Sequence, residues 1–159
     1  MNIKSVQILT VMTEKQLCAF SKDGRIDSVC KRLTELVMQI SPGTPPVRPM
    51  TLVSFFKQCG VLVVAYDTDN CILGMGTLVL TCKLTGNTAR IEHVVVDEKF
   101  RGQHMSSKIL SALLEAASAE QVRYTDLTTG PDRIPANALY LKFGFKKRDT
   151  NCYRLTGRV

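Results

Sequence analysis

The chain has 159 residues, of which 45% are hydrophobic and 22% are charged, and its formal net charge is +7 at pH 7. This length predicts a single domain over residues 1–159, and because no segment resembles a signal peptide or is long enough to span a bilayer, we expect a cytoplasmic protein with no membrane partner. The positive charge favours a polyanionic ligand, but nucleic acid is disfavoured because the basic residues are scattered and tryptophan is absent.

The N-terminal quarter predicts one strand and two helices. Residues 5–12 form the strand, and Thr13 and Gln16 form a capping-box pair that opens the first helix. The second helix starts at Ile26, where apolar residues begin to recur at helical spacing and predict a buried face. That face comprises Val29, Cys30, Leu33, Leu36, Val37 and Ile40.

Residues 41–49 hold four of the six prolines. They cannot form a helix or a central strand, so an extended loop is predicted, followed by a short helix from about Thr51 to Gly60. The loop is either a stiff connector or a wall of an acceptor pocket, because loops often carry functional residues.

Three strands then predict an antiparallel meander. They lie at 61–66, from Cys71 to about Lys83, and up to Asp97, with turns at 67–70 and 84–87.

The third strand of the meander runs through an Arg-Gly turn directly into an amphipathic helix. The first N–H groups of a helix have no intrahelical acceptor, and the helix dipole adds partial positive charge at the same end. The segment 91–110 therefore predicts an anion site that suits a phosphate. The buried face of its helix comprises Met105, Ile109, Leu110, Leu113, Leu114 and Ala117.

The C-terminal part predicts a strand at 122–129, whose parallel pairing with the strand before the helix would make a β-α-β crossover. Pro135 suits the first turn of a final helix and Gly144 its C-terminal cap. Residues 145–155 then predict a terminal hairpin. The order of the elements predicts an α/β fold with a mixed sheet.

Several features of the second half occur together: the run Val94-Val95-Val96-Asp97-Glu98, the pair Arg101-Gly102, Asn137, Tyr140, and LKFGF at 141–145. In this combination the chain resembles the GCN5-related N-acetyltransferase (GNAT) family. The resemblance implies the acyl-CoA N-acyltransferase fold, in which a mixed, mostly antiparallel sheet is flanked by helices. It also implies that the predicted anion site binds the pyrophosphate of acetyl-CoA, the acetyl donor.

The turn departs from the pattern of the family, which is Arg or Gln, two residues, Gly, one residue, and Gly or Ala. His104 and Ser106 replace the two small residues. A positive φ angle at 104 would strain a histidine, whereas a helical His104 would direct its imidazole outward, and we expect the helical case. The residues implied to bind acetyl-CoA are Val94, Val95, Val96, Arg101, Gly102, Gln103, His104, Met105, Ser106, Asn137 and Tyr140, with Lys99 and Lys108 adding charge.

Acetyl transfer to an amine needs a base, because an amine like that of lysine is mostly protonated at neutral pH. Strand alternation places Arg90, Glu92, Val94 and Val96 on one face and Ile91, His93 and Val95 on the other. Glu92 is the candidate base, or alternatively a surface carboxylate paired with Arg90 or another cation. His93 is a second candidate, because imidazole suits proton transfer at neutral pH, or alternatively a satisfied core or interface histidine.

Asn137 and Tyr140 are three residues apart on the final helix, so their side chains lie on one face. In the family that the chain resembles, this tyrosine protonates or hydrogen-bonds the leaving thiolate, and the asparagine holds the pantetheine arm. A core tyrosine is the alternative. The oxyanion is expected to meet a backbone N–H near Val94 or Val96, where the strand splays from its neighbour.

Six cysteines are scattered without C-x-x-C spacing, and the chain has only two histidines. No metal site is therefore predicted. Each cysteine is expected to be a small buried hydrophobic residue.

The predicted function is an acetyl-CoA-dependent N-acetyltransferase that transfers acetyl directly to a primary amine. Small amines and amino sugars are favoured, while polyamines and protein amines stay open. The strings IEHVVVDEKFRG and LYLKFGF are similar to glucosamine 6-phosphate N-acetyltransferases, but this match covers the segment after Ile91 and not the acceptor site, so that substrate is not assigned. The alternatives are a catalytically silent coenzyme A-binding or regulatory module, motivated by His104 and Ser106, and a basic adaptor for nucleic acid. A homodimer is compatible with this fold.

Overall fold

The computed structural model describes residues 7–12, for which it gives the backbone, together with residues 24–155 and 157. The helix predicted from Thr13 and Gln16 lies outside these residues. The chain divides into two compact units, with the boundary between Thr128 and Thr129. The organisation as one domain stays a prediction, and each unit is described by itself.

The first unit holds the sheet and most of the helices. Its described elements are β1 (Gln7–Met12), α1 (Ile26–Met38), α2 (Pro49–Lys57), β2 (Gly60–Tyr66), β3 (Ile72–Thr81), β4 (Thr88–Val96), α3 (Met105–Ala119) and β5 (Thr125–Leu127). The second unit holds α4 (Ile134–Lys142). The elements predicted within the described residues up to α4 are present, with ends that differ by a few residues. Within this part of the chain, no helix has the length and apolar character needed to cross a membrane.

The described strands form one sheet in the order β1-β2-β3-β4-β5. Neighbours from β1 to β4 are antiparallel, whereas β4 and β5 are parallel. Helix α3 makes the crossover between the two parallel strands, as predicted. Helices α1, α2 and α3 pack against the sheet. The predicted α/β fold with a mixed, mostly antiparallel sheet flanked by helices is therefore confirmed.

Helix α1 packs its predicted apolar stripe against one face of the sheet. It buries Cys30, Leu33, Leu36 and Val37. These side chains form one cluster with buried residues of α2 and of three strands, namely Leu52, Leu62, Val64, Ile72, Met75 and Val95. Full burial of one such side chain contributes about 1.5–3 kcal/mol, so this cluster holds α1 firmly against the sheet.

Helix α3 approaches the sheet closely because β3 carries glycine at the contact. A Cβ atom at Gly76 would lie 2.7 Å from both Ile109 Cγ2 and Leu113 Cδ1, which is too close for any side chain. Ile109 and Leu113 are both fully buried there. This close contact fixes α3, whose N-terminus follows β4 after a short turn.

A β-bulge interrupts the regular alternation of β4. Met75 pairs with Val95 and Thr77 pairs with Glu92, so the single residue between them in β3 lies opposite two residues of β4, His93 and Val94. His93 has a φ angle of 52°, in the left-handed region. The extra residue shifts every later side chain of β4 to the opposite face.

The bulge corrects the predicted faces of β4. A Cβ at Gly76 would lie 3.6 Å from Val94 Cγ2, and one at Gly74 would lie 3.2 Å from Val96 Cγ2, so both valines lie on the α3 face. Glu92 lies opposite Thr77 on the other face. The prediction that Glu92, Val94 and Val96 share a face is therefore wrong, because it assumed uninterrupted alternation.

Two predictions for the C-terminal part also differ from the structure. Strand β5 has three residues where eight were predicted at 122–129. Residues 145–155 form no strand in the described part of the chain, so the predicted terminal hairpin is wrong. This segment contains the basic run at 146–148 and two poor strand formers, Asp149 and Asn151, and a hairpin without an apolar face to bury is marginal.

Candidate acetyl-donor site

Strand β4 extends beyond its parallel partner. Strand β5 pairs with Ala89, Arg90 and Ile91, whereas β4 continues to Val96. From Glu92 onward, β4 is paired with β3 on one side and has passed the end of β5 on the other. We call the side of β4 beyond the end of β5 the β4–β5 opening. The predicted oxyanion site lies along this part of β4, and its use stays a prediction.

The backbone amides of Val94 and Val96 face the β4–β5 opening. The Asp97 N–H donates to the Leu73 carbonyl of β3 at 2.8 Å, so Asp97 faces β3. Successive residues of a strand direct their N–H groups to opposite sides, which places the amides of Val96 and Val94 on the side of the opening. The Val96 carbonyl lies on that side too, where it accepts from Arg101 Nε at 3.2 Å.

Residues 97–106, called the anion turn below, connect β4 to α3. Asp97 Oδ1 accepts from the Lys99 N–H at 3.0 Å and caps a single 3-10 turn at Glu98–Phe100. Gly102 then has a φ angle of 81° and His104 one of 57°, and α3 begins at the next residue. The two positive φ angles turn the chain into the helix within a few residues.

The expectation that His104 is helical is wrong. It is the residue that caps α3, in the left-handed conformation that glycine adopts most easily. A residue with a Cβ atom is strained there by about 1 kcal/mol. The side chain of His104 is exposed, so the backbone follows a glycine-like path while the imidazole meets solvent.

The start of α3 offers a group of backbone donors. The first α-helical bond runs from the Lys108 N–H to the His104 carbonyl at 3.2 Å, so the amides of Met105, Ser106 and Ser107 precede the intrahelical ladder. The first turn of α3 contains no acidic residue. Arg101, Lys99 and Lys108 are exposed around it. These amides, the helix dipole and the three cations suit a phosphate group.

Arg101 is held in place by two bonds of its guanidinium. Its Nε donates to the Val96 carbonyl at 3.2 Å, and its Nη2 donates to Gln39 Oε1 at 3.3 Å. The same oxygen of Gln39 accepts from the Glu98 N–H at 3.2 Å. Sequence reasoning missed Gln39, because a polar residue just after the end of an amphipathic helix carries no signal of a contact so far along the chain.

Asp97 forms an ion pair that sequence reasoning also missed. Arg32 Nη2 of α1 donates to Asp97 Oδ2 at 2.5 Å, and Asp97 is buried. Burial acts to raise the pKa of the Asp97 carboxyl, but the hydrogen bonds from Arg32 and from the Lys99 amide, with the positive charges of both residues, outweigh it and lower this pKa. Asp97 is therefore a firmly ionised anchor of the anion turn.

Glu92, the candidate base, forms an ion pair with Arg90. The pair bonds Arg90 Nε to Glu92 Oε1, and Arg90 Nη2 also donates to Thr128 Oγ1 at 3.0 Å. The Glu92 side chain is about one-third exposed, at 34%. The ion pair that the sequence offered as the alternative is thus present, and it places the carboxylate on the strand that borders the β4–β5 opening.

His93 lies at the β-bulge and is exposed, so a core position is wrong, whereas an interface position stays a prediction. The extra residue of the bulge directs its side chain out of the regular pleat. Its Nδ1 lies 3.3 Å from Thr77 Oγ1, which also donates to the Glu92 carbonyl at 2.9 Å. His93 and Glu92 are therefore two proton-transfer groups on adjacent residues of β4.

Asn137 and Tyr140 lie on α4, in the second unit. The Asn137 amide donates to the Gly130 and Arg133 carbonyls, both at 2.9 Å, and so joins the start of α4 to the preceding loop. These two bonds provide a structural reason for an asparagine in this helix, in addition to its predicted contact with the donor. Tyr140 is half-buried and stacks edge-on against Phe145, with ring centroids 5.9 Å apart.

The cysteines only partly match the prediction that each is buried. Cys30 is buried in the core, and this burial, with the nearby charge of Asp27, raises the pKa of its thiol. The other described cysteines, Cys59, Cys71, Cys82 and Cys152, are exposed, so the prediction is wrong for them. They lie at strand ends, in turns and in the C-terminal tail, where no core is available. Among the described residues, no cluster of His, Cys, Asp or Glu could hold a metal ion.

Residues 41–48 form neither helix nor strand, as predicted, whereas Pro49, which the prediction placed in the loop, begins α2. The loop is tied to α1, because the Val47 N–H donates to Thr34 Oγ1 at 2.9 Å. Loop and helix border an open groove of about 400 Å³. The groove is lined by Asp27, Cys30, Lys31, Thr34, Glu35, Pro46, Val47, Arg48 and Pro49. The role of this groove in acceptor binding stays a prediction.

Comparison with solved structures identifies the same fold. An acetyltransferase from Trypanosoma brucei matches with a TM-score of 0.70 at 22% identity, over 96% of this chain and 99% of that one. Glucosamine-6-phosphate N-acetyltransferase from Arabidopsis thaliana matches with a TM-score of 0.72 at 18% identity, over 97% and 100% of the two chains. AAC(6')-Iy in complex with the bisubstrate analogue CoA-S-monomethyl-acetylneamine matches with a TM-score of 0.67 at 14% identity, over 97% and 100% of the two chains.

Identities this low establish the fold alone, and a comparison with curated proteins gives no match. The family is established by a different comparison, with sequence models of protein families. The model described as the Acetyltransferase (GNAT) family matches residues 30–145, which include β4, the anion turn and α4. The chain therefore belongs to the GNAT family of acetyltransferases.

Proposed function

We propose that this protein is an acetyl-CoA-dependent N-acetyltransferase that transfers the acetyl group directly to a primary amine. The observation that carries the proposal is the position of the anion turn directly after the β4–β5 opening. One continuous segment, Val94–Ser106, thereby joins backbone donors that suit a thioester to backbone donors that suit a pyrophosphate.

The donor is assigned to the backbone of this segment. The amides of Met105 and Ser106, with the exposed cations around them, would hold the pyrophosphate, and Gly102, Gln103 and His104 would shape the turn. The residues Val94, Val95 and Val96 would align the pantetheine arm along the open side of β4. The left-handed conformation of His104 supports this fit, because the turn keeps the path that a glycine would give it.

The proposed reaction develops negative charge at two atoms in turn, first on the carbonyl oxygen and then on the sulfur of the leaving thiolate. Attack of the amine on the thioester carbonyl carbon creates an oxyanion, and an amide facing the β4–β5 opening, that of Val94 or Val96, would stabilise it. Glu92 would take a proton from the acceptor ammonium, directly or through water. His93 is the second candidate for this role, since it is exposed beside Glu92.

Collapse of the tetrahedral intermediate breaks the carbon–sulfur bond and releases a thiolate. Tyr140 is the proposed donor of a hydrogen bond or proton to this sulfur, and Asn137 the proposed contact of the pantetheine arm. Both roles rest on the family resemblance. The thiol of coenzyme A is more acidic than a phenol, so a hydrogen bond from Tyr140 is sufficient.

Small amines and amino sugars are the proposed acceptors. Support comes from similar structures that are named for such substrates, a glucosamine-6-phosphate N-acetyltransferase and an aminoglycoside N-acetyltransferase. Acceptor selection should depend on side chains near the β4–β5 opening, because the backbone of the anion turn serves the donor. We propose a cytoplasmic, single-domain enzyme without a covalent acetyl intermediate.

The test is a free-thiol release assay with acetyl-CoA and a panel of amino sugars, polyamines, small amines and amine-bearing peptides. Amine-dependent thiol release, with the acetylated amine identified by mass spectrometry, is the expected result. Tight binding of acetyl-CoA with no release for any member of the panel would instead support a catalytically silent module. Chymotryptic peptides of the protein should carry no acetyl group after turnover, since the transfer is direct.

A further inference from the structure

Helix α1 and the residue that follows it contact the anion turn through two polar side chains, Arg32 and Gln39. The two residues are seven positions apart, so they lie on the same side of the helix axis, two turns from each other. Arg32 bonds Asp97 at the start of the turn, and Gln39 bonds the Glu98 amide and the Arg101 guanidinium further on. The turn is thus held by residues that precede it by 59 to 65 positions.

The side chain of Gln39 has a defined orientation. Its Oε1 lies 3.2 Å from the Glu98 nitrogen and 3.3 Å from Arg101 Nη2. Both partners are donors only, so the carbonyl oxygen of the amide must face them. Gln39 is half-buried, whereas Glu98 and Arg101 are exposed.

Gln39 and the Val96 carbonyl together fix the plane of the Arg101 guanidinium. One bond uses Nε and the other uses one N–H of Nη2, so these two bonds leave both N–H groups of Nη1 and the second N–H of Nη2 for an anion. An arginine that is already ordered loses less conformational entropy when an anion binds. The bond from the Glu98 amide likewise fixes the backbone of the 3-10 turn.

Arg32 fixes the helix from which Gln39 projects. Its Nε donates to the Ile72 carbonyl of β3 at 2.8 Å, and its Nη2 donates to Asp97 at the end of β4. A third bond joins its Nη1 to Glu35 on the same helix at 3.1 Å. These bonds join α1 to two neighbouring strands, so the position of Gln39 relative to the turn is set by the core.

We propose that Gln39 is a positioning residue for the pyrophosphate of the acetyl donor, acting through the Arg101 guanidinium. The inference rests on the proposed function, since it needs a donor bound at the anion turn. Gln39 itself touches the turn, whereas Arg101 and the amides of the turn touch the donor. Loss of Gln39 should therefore weaken donor binding without slowing the chemical step.

The experiment compares Gln39→Leu with the wild type and with Gln58→Leu, a control at the exposed residue that follows α2, as Gln39 follows α1. For Gln39→Leu we expect the Kd and KM for acetyl-CoA to rise about 5- to 10-fold, with kcat within about twofold of the wild type. With S-acetylpantetheine, a thioester donor that lacks the pyrophosphate, the same variant should match the wild type. The control should match the wild type with both donors.

A double-variant cycle tests whether Gln39 acts through Arg101. If it does, the Gln39→Leu, Arg101→Leu variant should bind acetyl-CoA within about twofold of Arg101→Leu alone. Gln39→Asn, in which the amide is one methylene shorter, provides the same comparison if the leucine variant does not fold.

The possible failures are distinguishable. If the wild type does not bind acetyl-CoA, the proposed function and this inference both fail. If the wild type binds and Gln39→Leu binds equally well, the inference alone is overturned. Additive losses in the cycle, or an equal loss with S-acetylpantetheine, would also overturn it, because either result would mean that Gln39 does not act through the phosphate contacts of Arg101.

Discussion

Arg32 of α1 and Asp97 at the end of β4 form a partly buried ion pair, with 2.5 Å between Nη2 and Oδ2. Asp97 simultaneously caps the 3-10 turn that opens the anion turn. A single carboxylate therefore joins helix α1 to the segment proposed to bind the donor. The proposed site depends on the same packing that stabilises the fold.

Asp97→Asn should destabilise the fold by about 1–3 kcal/mol at pH 7, a cost between those of exposed and fully buried ion pairs. The pKa of Asp97 is lowered in the folded state, so its contribution is present above the ordinary pKa of aspartate, about 4, and is lost as the pH falls through the lowered value. Denaturant unfolding of the wild type and of Asp97→Asn between pH 7 and pH 3 measures the difference between their free energies of unfolding.

The difference in unfolding free energy between Asp97→Asn and the wild type should shrink as the pH falls. Glu35→Gln is the control, because Glu35 bonds the same arginine from an exposed position. It should cost less than about 1 kcal/mol. A difference for Asp97→Asn that stays constant over this pH range would contradict the assigned ion pair.

His104→Gly should raise the free energy of unfolding by about 1 kcal/mol, because glycine adopts the left-handed conformation of this position without strain. Gly102→Ala, at the other positive φ angle of the turn, should have the opposite effect. Thermal unfolding measures both changes. Acetyl-CoA affinity should be retained in His104→Gly, and a lower melting temperature for that variant would mean that His104 contributes a contact that outweighs its strain.

Tyr140→Phe should slow acetyl transfer about 10-fold or more while leaving the Kd for acetyl-CoA nearly unchanged, because the hydroxyl is proposed to act on the leaving thiolate alone. Steady-state kinetics and calorimetry on the same preparation separate the two quantities. Tyr153→Phe, at an exposed tyrosine of the C-terminal tail, is the matched control. Unchanged turnover in Tyr140→Phe would remove the tyrosine from the mechanism.

Glu92→Gln should lower kcat about 100-fold, since it removes the proposed base and keeps the size of the side chain. The amide oxygen can still accept from Arg90, so the fold should be retained. Glu115→Gln, at an exposed position on α3 bonded to Ser111, controls for a general effect of charge loss. A kcat within about twofold of the wild type would exclude Glu92 as the base. His93→Asn would then test the second candidate.

The elements that were predicted correctly are those indicated by patterns of residues close together in the sequence. The stripe from Cys30 to Val37 requires only helical periodicity, and the anion turn requires only a strand followed by an Arg-Gly turn and a helix. Both are present in the structure. The predicted hairpin at 145–155 failed because turn and strand signals do not show whether a segment has an apolar face to bury.

The parts of the site that were not predicted depend on tertiary contacts. The bulge at His93 breaks an alternation that assumes regular pairing, and it arises between two strands, not within one. The conformation of His104 follows from the short path between β4 and α3. The contacts of Arg32 and Gln39 join residues about 60 positions apart, and no spacing in one sequence reports such a pair.

The central claim, that the anion turn binds the pyrophosphate of acetyl-CoA, is tested most directly by calorimetric titration of the wild type and of Ser106→Asp. The account predicts micromolar binding to the wild type and at least about tenfold weaker binding to the variant, because the new carboxylate would lie beside the phosphates at the start of α3. The unchanged melting temperature of the variant would confirm that it is folded. No binding to the wild type, or equal binding to both proteins, would contradict the claim.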